Sequence, residues 1–150
     1  MIAAAAPDSP DAQYCLGEYF RELAARFEGG FDHTKSLVPS LDEFAPPEGG
    51  FFIVQLGEKP VGCGGFKRLN AESAYLKRMW IAPSARGQGL GRTLLRELEE
   101  KARAAGYRKA CLETNRALVE AIRMYNRSGY REVAPFNGEF YAHHWFEKEL

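Results

Sequence analysis

Residues 74–105, AYLKRMWIAPSARGQGLGRTLLRELEEKARAA, decide the fold of this chain. Their pattern predicts a strand, then a tight glycine-rich turn from Arg86 to Gly91, then a long amphipathic helix. Glycines at alternate positions of the turn let backbone N–H groups converge without obstruction by side chains. The helix adds the unpaired N–H groups of its first turn and the positive end of its dipole. We therefore expect an anion, a phosphate, to bind at this turn.

The spacing of the glycines excludes two other kinds of phosphate-binding loop. A P-loop needs Lys followed by Ser or Thr after its last glycine, and neither pair follows these glycines. A dinucleotide fingerprint needs G-x-G-x-x-G, and here the third glycine comes one residue too early. The turn instead fits R/Q-x-x-G-x-G/A, with Arg86, Gly89 and Gly91, and it follows a strand that ends in Met-Trp-Ile-Ala-Pro.

With this motif in this position, the sequence resembles the GNAT superfamily of acyl-CoA-dependent N-acetyltransferases. Its final residues resemble bacterial members that occur alone or behind a MarR-type regulator. The resemblance covers about residues 51–134 well and implies acetyl-CoA as a co-substrate, whose pyrophosphate binds the amides of the turn. The implied acetyl-CoA-binding residues are Met79, Trp80, Ile81, Arg86, Gly87, Gln88, Gly89, Gly91 and Arg92, with Asn115 as a candidate for the pantetheine contact.

The resemblance also implies two catalytic groups. In the family, a backbone N–H of the strand before the turn stabilises the thioester oxyanion, and that position falls on Met79. Residues 121–130 resemble the family segment A-x-x-x-Y-x-x-x-G-F/Y, which makes Tyr125 the general acid. A phenol has an ordinary pKa of about 10, so it is protonated at pH 7 and can donate to a departing thiolate.

Two positions depart from the family pattern. Some members carry a glutamate base four residues before the oxyanion donor, where this chain has Tyr75. The base is then another carboxylate, with Glu72 as the nearby candidate, or an ordered water molecule. Many members also carry an asparagine seven residues before the tyrosine, where this chain has Leu118, so that Asn115 is expected to take over its contact.

The resemblance implies the acetyl donor but leaves several classes of acceptor open. We expect a small-molecule primary amine that attacks the thioester directly in a ternary complex, and the alternatives are a protein N-terminus or lysine. A non-catalytic acyl-CoA-binding or sensing module is a rival of another class. Residues 1–50 carry three basic and nine acidic residues and favour a cationic amine, whereas Lys77 and Arg78 favour a carboxylate. The candidate acceptor-binding residues are Phe31, Arg78, Glu139, Tyr141 and His143.

Composition limits the remaining possibilities. A length of 150 residues with 45% apolar and 13% aromatic residues predicts one globular domain, residues 1–150. No apolar run reaches the roughly 18 residues of a membrane span, and the N-terminus lacks the features of a signal peptide. We therefore expect a cytoplasmic protein, a monomer or homodimer. Zero net charge and the lack of a recognition motif argue against nucleic-acid binding.

The cysteines and histidines do not indicate a metal site. Cys15, Cys63 and Cys111 are far apart in the sequence, which favours buried small side chains over a disulfide or zinc site. His143 and His144 are adjacent on a predicted strand and point to opposite faces, so they do not converge on one ion. No metal is predicted.

The order of predicted elements is βααβββαβαββ, an α+β fold. It predicts a mostly antiparallel twisted sheet of about six or seven strands, flanked by about four helices. The passage strand–helix–strand over residues 74–114 implies one parallel pair in the sheet. By resemblance to the GNAT fold, the strands of this pair splay apart.

Overall fold

Across residues 1–37 and 39–150, which the computed structural model describes, seven strands form one mixed sheet in the order β1-β2-β3-β4-β5-β7-β6. The strands are β1 (Ile2–Ala4), β2 (Gly50–Leu56), β3 (Lys59–Arg68), β4 (Ser73–Ile81), β5 (Lys109–Thr114), β6 (Arg131–Val133) and β7 (His144–Glu149). The α-helices are α1 (Pro10–Arg26), α2 (Leu90–Ala104) and α3 (Val119–Arg127). Only β4 and β5 pair in parallel, as the strand–helix–strand order predicts.

Local signals explain where the helices begin and what they bury. Ser9 caps α1, since its hydroxyl accepts a hydrogen bond from the Ala12 N–H at 3.4 Å, and Pro10 occupies the first helical position. The apolar stripe of α2 is fully buried at Leu94 and Leu98. Gly106, with φ of 103°, follows the end of this helix in a conformation that favours glycine.

The sheet separates two hydrophobic clusters because successive strand residues face opposite sides. Val54 belongs to the cluster that α2 covers, together with Leu94 and Phe146. Its neighbour Ile53 belongs to the cluster that α1 covers, with Cys15 and Trp80. The helix before the glycine turn and the helix after it therefore lie on opposite faces of the sheet.

The α+β class, the mixed sheet and its parallel pair are confirmed, and the structure differs from the prediction in two details. The second N-terminal helix is replaced by short 3-10 turns at His33–Lys35 and Leu41–Phe44. Proline-rich sequence from residue 39 to residue 47 does not propagate a longer helix. The last strand begins at His144 rather than Tyr141, because residues 136–142 form turns whose groups bond each other.

Cys15, Cys63 and Cys111 are free and buried, which confirms the interpretation from the sequence. In the described part of the chain, no helix is both long enough and apolar enough to cross a membrane. The same residues bring no three His, Cys, Asp or Glu side chains together where they could hold a metal ion.

Candidate active site

The site lies in the gap that opens where β4 and β5 separate. The two strands pair only from Ser73 to Tyr75 of β4, and beyond this point no β5 residue is aligned with β4 within the described residues. The Ala82 N–H donates to the Val61 carbonyl at 2.7 Å and so points toward β3. Because N–H directions alternate along a strand, that of Ile81 points away from β3, into the gap.

A β-bulge interrupts β4 beside this gap. Cys63 is aligned with Trp80 and Gly65 with Lys77, so that Arg78 and Met79 of β4 both lie opposite Gly64. Arg78 has φ of 59°, a left-handed conformation that costs a residue with a side chain. The bulge changes the direction of the strand directly before the backbone groups that face the gap.

The glycine turn closes one end of the gap. Gly87 and Gly89 have φ of 82° and 79°, conformations that a residue with a Cβ adopts only under strain. No side chain caps α2, and its first intrahelical bond runs from Thr93 N–H to the Gly89 carbonyl. The N–H groups of the preceding residues of the first turn are therefore available to a ligand. Gly89 and Gly91 line the cleft into which this turn opens.

Arg86 is held beside the turn rather than in solvent. Its Nε donates to the Ile81 carbonyl at 2.9 Å, and its terminal nitrogen pairs with Glu22 of α1 at 2.6 Å. Glu22 also accepts from the indole N–H of Trp80 at 3.2 Å. These contacts tie the turn to the end of β4 and to α1, and so set the position of the turn relative to the gap.

Two clefts meet in the gap. The glycine-turn cleft, of about 420 Å³, is lined by Ile81, Gly87, Gly89, Gly91 and Arg92 and by residues of α1 and α3. The aromatic cleft, of about 130 Å³, is lined among others by Phe20, Phe27, Phe31, Arg78, Glu113, Glu139 and Tyr141. The residues that line both clefts are Tyr19, Leu23, Met79, Leu118, Ala121 and Tyr125. A donor in one cleft and an acceptor in the other would therefore meet at Met79 and Tyr125.

Two phenols face this junction. Tyr125 of α3 is 8% exposed and packs against Tyr130 and Phe146, with ring centroids 5.9 Å away in both cases. Burial, reinforced by the negative charge of Glu113, raises the pKa of the Tyr125 phenol above its ordinary value. Burial likewise raises the pKa of Tyr19, which lies on α1. Both phenols are therefore protonated throughout the neutral pH range.

Glu113 supplies a buried carboxylate that the sequence analysis missed. Its side chain is 7% exposed, and Oε1 accepts hydrogen bonds from the Tyr75 hydroxyl and, at 3.2 Å, from the Lys77 ammonium. Its second oxygen, Oε2, is buried and has no hydrogen-bond partner among residues 1–37 and 39–150. A buried unpaired carboxylate oxygen beside the junction is able to accept a proton or to bind an ammonium group. The signal in the sequence is a charged residue that directly follows the apolar run Ala110–Leu112 of a predicted strand.

Arg78 presents a buried cation to the aromatic cleft. The residue is 8% exposed, and its guanidinium lies over the rings of Phe20 and Phe44, with centroid distances of 5.3 Å and 5.5 Å. Burial lowers the pKa of the Arg78 guanidinium, and no carboxylate contributes to that pKa. No ion pair involves this side chain in the described chain.

Most of the predicted acetyl-CoA-binding residues line the glycine-turn cleft, namely Met79, Trp80, Ile81, Arg86, Gly87, Gly89, Gly91 and Arg92. Gln88 lies within the turn but does not line the cleft. Asn115 lines the aromatic cleft instead, and its amide is already engaged. Its Nδ2 donates to the Tyr141 carbonyl at 2.7 Å and its Oδ1 accepts from the Ala117 N–H at 2.9 Å. Its side chain therefore supports the loop before α3.

Four of the predicted acceptor residues, Phe31, Arg78, Glu139 and Tyr141, come together in the aromatic cleft. His143 does not line it, because its Nδ1 accepts a hydrogen bond from the Arg116 N–H at 3.0 Å. Glu72, the proposed base, is exposed in the turn before β4 and lines neither cleft. Its carbonyl accepts from the N–H groups of Arg108 and Lys109, at the opposite end of β4 from the bulge.

Comparison with known proteins finds similarity to N-acetyltransferases. A family model described as "Acetyltransferase (GNAT) family" matches residues 17–130. The chain is 31% identical over 126 residues to the uncharacterized N-acetyltransferase YjgM of Escherichia coli, an alignment that covers 79% of this chain and 75% of that protein. The chain is also 36% identical over 98 residues to an "IAA acetyltransferase" of Azospirillum brasilense. That second alignment covers 64% of this chain and 63% of the relative, less than two thirds of its length.

The fold is also found among solved structures. The crystal structure of an acetyltransferase of the GNAT family from Staphylococcus aureus superposes with a TM-score of 0.81. The superposition covers 99% of this chain and 98% of the other, at 18% sequence identity. At this level of identity the likeness concerns the fold alone.

Proposed function

The chain belongs to the GNAT acetyltransferase family, and from this premise we propose that it transfers the acetyl group of acetyl-CoA to the primary amine of a small molecule. The observation that carries the proposal is the meeting of two clefts at Met79 and Tyr125. One cleft contains the anion-binding features of the glycine turn, and the other is lined by aromatic and charged side chains. Such an arrangement suits direct transfer between two bound substrates.

The glycine-turn cleft fits the phosphate end of acetyl-CoA. The uncapped first turn of α2 offers N–H groups and the positive end of the helix dipole to a pyrophosphate. Gly87 and Gly89 leave open space around the turn, since an added Cβ would meet no heavy atom within 4 Å. The Ile81 N–H faces the gap and suits the pantetheine arm, and we assign the acetyl carbonyl to the N–H of Met79, a residue that lines both clefts.

The reaction uses three groups of this chain. The acceptor reacts as its neutral amine, whose nitrogen lone pair forms the new C–N bond while the Met79 N–H stabilises the negative charge on the carbonyl oxygen. Glu113, through its unpaired oxygen, then takes the one proton that the bonded nitrogen loses, directly or through water. When the C–S bond breaks, the Tyr125 hydroxyl protonates the thiolate, and the products are an N-acetyl amide and free CoA. The proton on Glu113 returns Tyr125 to its neutral form by way of solvent.

The small size of the aromatic cleft favours a small molecule over a protein side chain. Its volume is about 130 Å³, and two segments are joined beside it. The Tyr141 hydroxyl accepts from the Asp32 N–H at 2.7 Å, and the Ser36 hydroxyl donates to Glu139 at 2.5 Å. These bonds link residues 31–37 to residues 137–141 and narrow the space for a polypeptide acceptor.

The test is a screen for release of free CoA from acetyl-CoA, with a panel of small amines and amino acids and a parallel panel of peptides. We expect acetylation of at least one class of small amine, identified by mass spectrometry of the product. Acetylation of peptides alone would establish the protein-acceptor alternative. Thermal stabilisation by acetyl-CoA without CoA release over both panels would establish a binding or sensing module and contradict the proposal.

A further inference from the structure

We propose that the acceptor amine also carries a carboxylate, which binds the guanidinium of Arg78, and that its remaining part is apolar. The acceptor is thus an amino carboxylate, such as an amino acid with an apolar side chain. This inference rests on the proposed function, because it assigns the substrate class of the same site.

Among the four charged side chains that line the aromatic cleft, Arg78 is the only one with no hydrogen-bond or ion-pair partner in the described residues. Lys77 and Glu113 form an ion pair at 3.2 Å. The carboxylate of Glu139 accepts from the Ser36 hydroxyl at 2.5 Å, the Leu37 N–H at 3.2 Å and the Tyr141 N–H at 3.2 Å. The Arg78 guanidinium instead contacts two phenyl rings, which accept none of its in-plane hydrogen bonds.

A buried guanidinium without an anionic partner is costly, so its presence requires an explanation. Stacking on Phe20 and Phe44 offsets part of this cost but does not pair the N–H donors. Arg78 is also the residue that adopts the strained φ of 59° at the bulge. Strain and unpaired charge at one position are typical of a site that is completed by a ligand. A carboxylate matches the planar fork of donors in two parallel hydrogen bonds.

The position of Arg78 favours the acceptor over acetyl-CoA as the source of the anion. Arg78 lines the aromatic cleft and is absent from the lining of the glycine-turn cleft. The anion-binding features for phosphates, the turn and the start of α2, lie in that other cleft. A carboxylate on Arg78 and an amine near the free oxygen of Glu113 would both lie in the aromatic cleft, as the two ends of one molecule.

The aromatic residues that line the aromatic cleft indicate that the part of the acceptor between or beside its amine and carboxylate is apolar. Phe31 stacks on Phe20 with a centroid distance of 5.6 Å and contacts Tyr141 at 4.9 Å. Phe27 packs against both Phe31 and Tyr141, at 6.1 Å and 5.5 Å. A side chain held among these rings gains from burial of apolar surface and from ring contacts.

The first test compares matched acceptors with the unmodified protein. L-phenylalanine, L-leucine and L-methionine are each assayed against their α-amides and their decarboxylated amines. We expect kcat/KM to be at least about 10-fold higher for the acids, which corresponds to the loss of one charge-assisted hydrogen-bonded pair. The amides have the more readily deprotonated amino group, so intrinsic reactivity works against this result. Equal or greater use of the amides and amines overturns the inference but leaves the proposed function standing.

The second test compares Arg78→Gln with Arg78→Lys, and uses Arg21→Gln as a matched control because Arg21 is exposed on α1. We expect Arg78→Gln to lower kcat/KM for the acids to the level of the amides, with a much smaller loss for the amides and little change in the KM for acetyl-CoA. Arg78→Lys should restore part of the acid preference, and the control should keep all of it. A uniform loss with acids and amides would mean a structural role and overturn the inference. If Arg78→Gln fails to fold, the comparison of acids and amides in the unmodified protein still tests whether the acceptor needs a carboxylate.

Discussion

The hydroxyl of Tyr75 on β4 donates a hydrogen bond to Oε1 of Glu113 on β5. Tyr75 occupies the position at which some members of the family carry a glutamate base, and its partner is a carboxylate supplied by the neighbouring strand. The Lys77 ammonium lies 3.2 Å from the same oxygen and forms an ion pair with this carboxylate. The bond from Tyr75 fixes one oxygen, and the other has no hydrogen-bond partner among the described residues.

Glu113→Gln should therefore lower kcat by about 10²- to 10⁴-fold, the usual contribution of a general base. The deficit should narrow as the pH is raised toward the ordinary pKa of the acceptor amine, because bulk solvent then removes the proton. Steady-state kinetics over a range of pH measure both effects. Glu72→Gln is the control and should retain full activity, since Glu72 lines neither cleft. A large loss in the control with little loss in Glu113→Gln would restore Glu72 as the base.

Tyr125→Phe should lower kcat by about 10²-fold or more while the Kd for acetyl-CoA stays nearly unchanged, because the change removes a proton donor and little contact area. Tyr19→Phe is the matched comparison, since this second phenol, which is half-buried, lines the same junction. Measurements of kcat and of acetyl-CoA binding for both variants show which of the two tyrosines is the general acid. Unchanged turnover in Tyr125→Phe with a large loss in Tyr19→Phe would transfer the role to Tyr19.

Gly89→Ala should raise the Kd for acetyl-CoA and lower stability. Its φ of 79° would cost alanine about 1–2 kcal/mol, and relaxation of the strain would move the N–H groups of the first turn of α2. Gly106→Ala, at the other end of the same helix, is the matched control because Gly106 has φ of 103° and open space around it. We expect a similar loss of stability in both variants and weaker acetyl-CoA binding in Gly89→Ala alone. Calorimetric titration with acetyl-CoA and thermal unfolding separate the two effects.

The fold could be predicted from the sequence because its signals are local. The glycine turn, the Ser9-Pro10 helix start and the alternating apolar residues of the strands each lie within a few residues of the structure that they specify. The loop between β6 and β7 could not be predicted in the same way. Its turns are fixed by contacts such as Asn137 with Trp145, and these move His143 away from the cleft.

The carboxylate that we propose as the base could not be predicted, because its surroundings depend on contacts between distant residues. Tyr75 and Glu113 are 38 positions apart, and only the parallel register of β4 with β5 brings them together. Arg78 could be predicted as a candidate residue, but its lack of an ion-pair partner within residues 1–37 and 39–150 could not. That state depends on which neighbouring cations and carboxylates pair with each other in the folded chain, as Lys77 does with Glu113.

Glu99 of α2 gives a prediction about stability that is separate from the reaction. Its side chain is 8% exposed, and its carboxylate accepts from the Tyr130 hydroxyl at 2.8 Å and the Lys148 ammonium at 3.0 Å. Glu99→Ala leaves both donors without a partner and should lower the free energy of unfolding by about 3–5 kcal/mol. Tyr130→Phe removes one neutral donor and should cost about 1–2 kcal/mol.

Urea denaturation of these two variants measures the change, and Glu100→Gln serves as the control. Glu100 is the next residue of the same helix, but its side chain is 63% exposed and pairs with Arg103, which is also exposed. Exposed ion pairs contribute little to stability, so the free energy of unfolding of Glu100→Gln should lie within about 0.5 kcal/mol of that of the unmodified protein. Because Glu99 lines neither cleft, kcat of the folded fraction should stay close to that of the unmodified protein. Equal stability of Glu99→Ala and Glu100→Gln would mean that solvent replaces the buried contacts, and would contradict a structural role for Glu99.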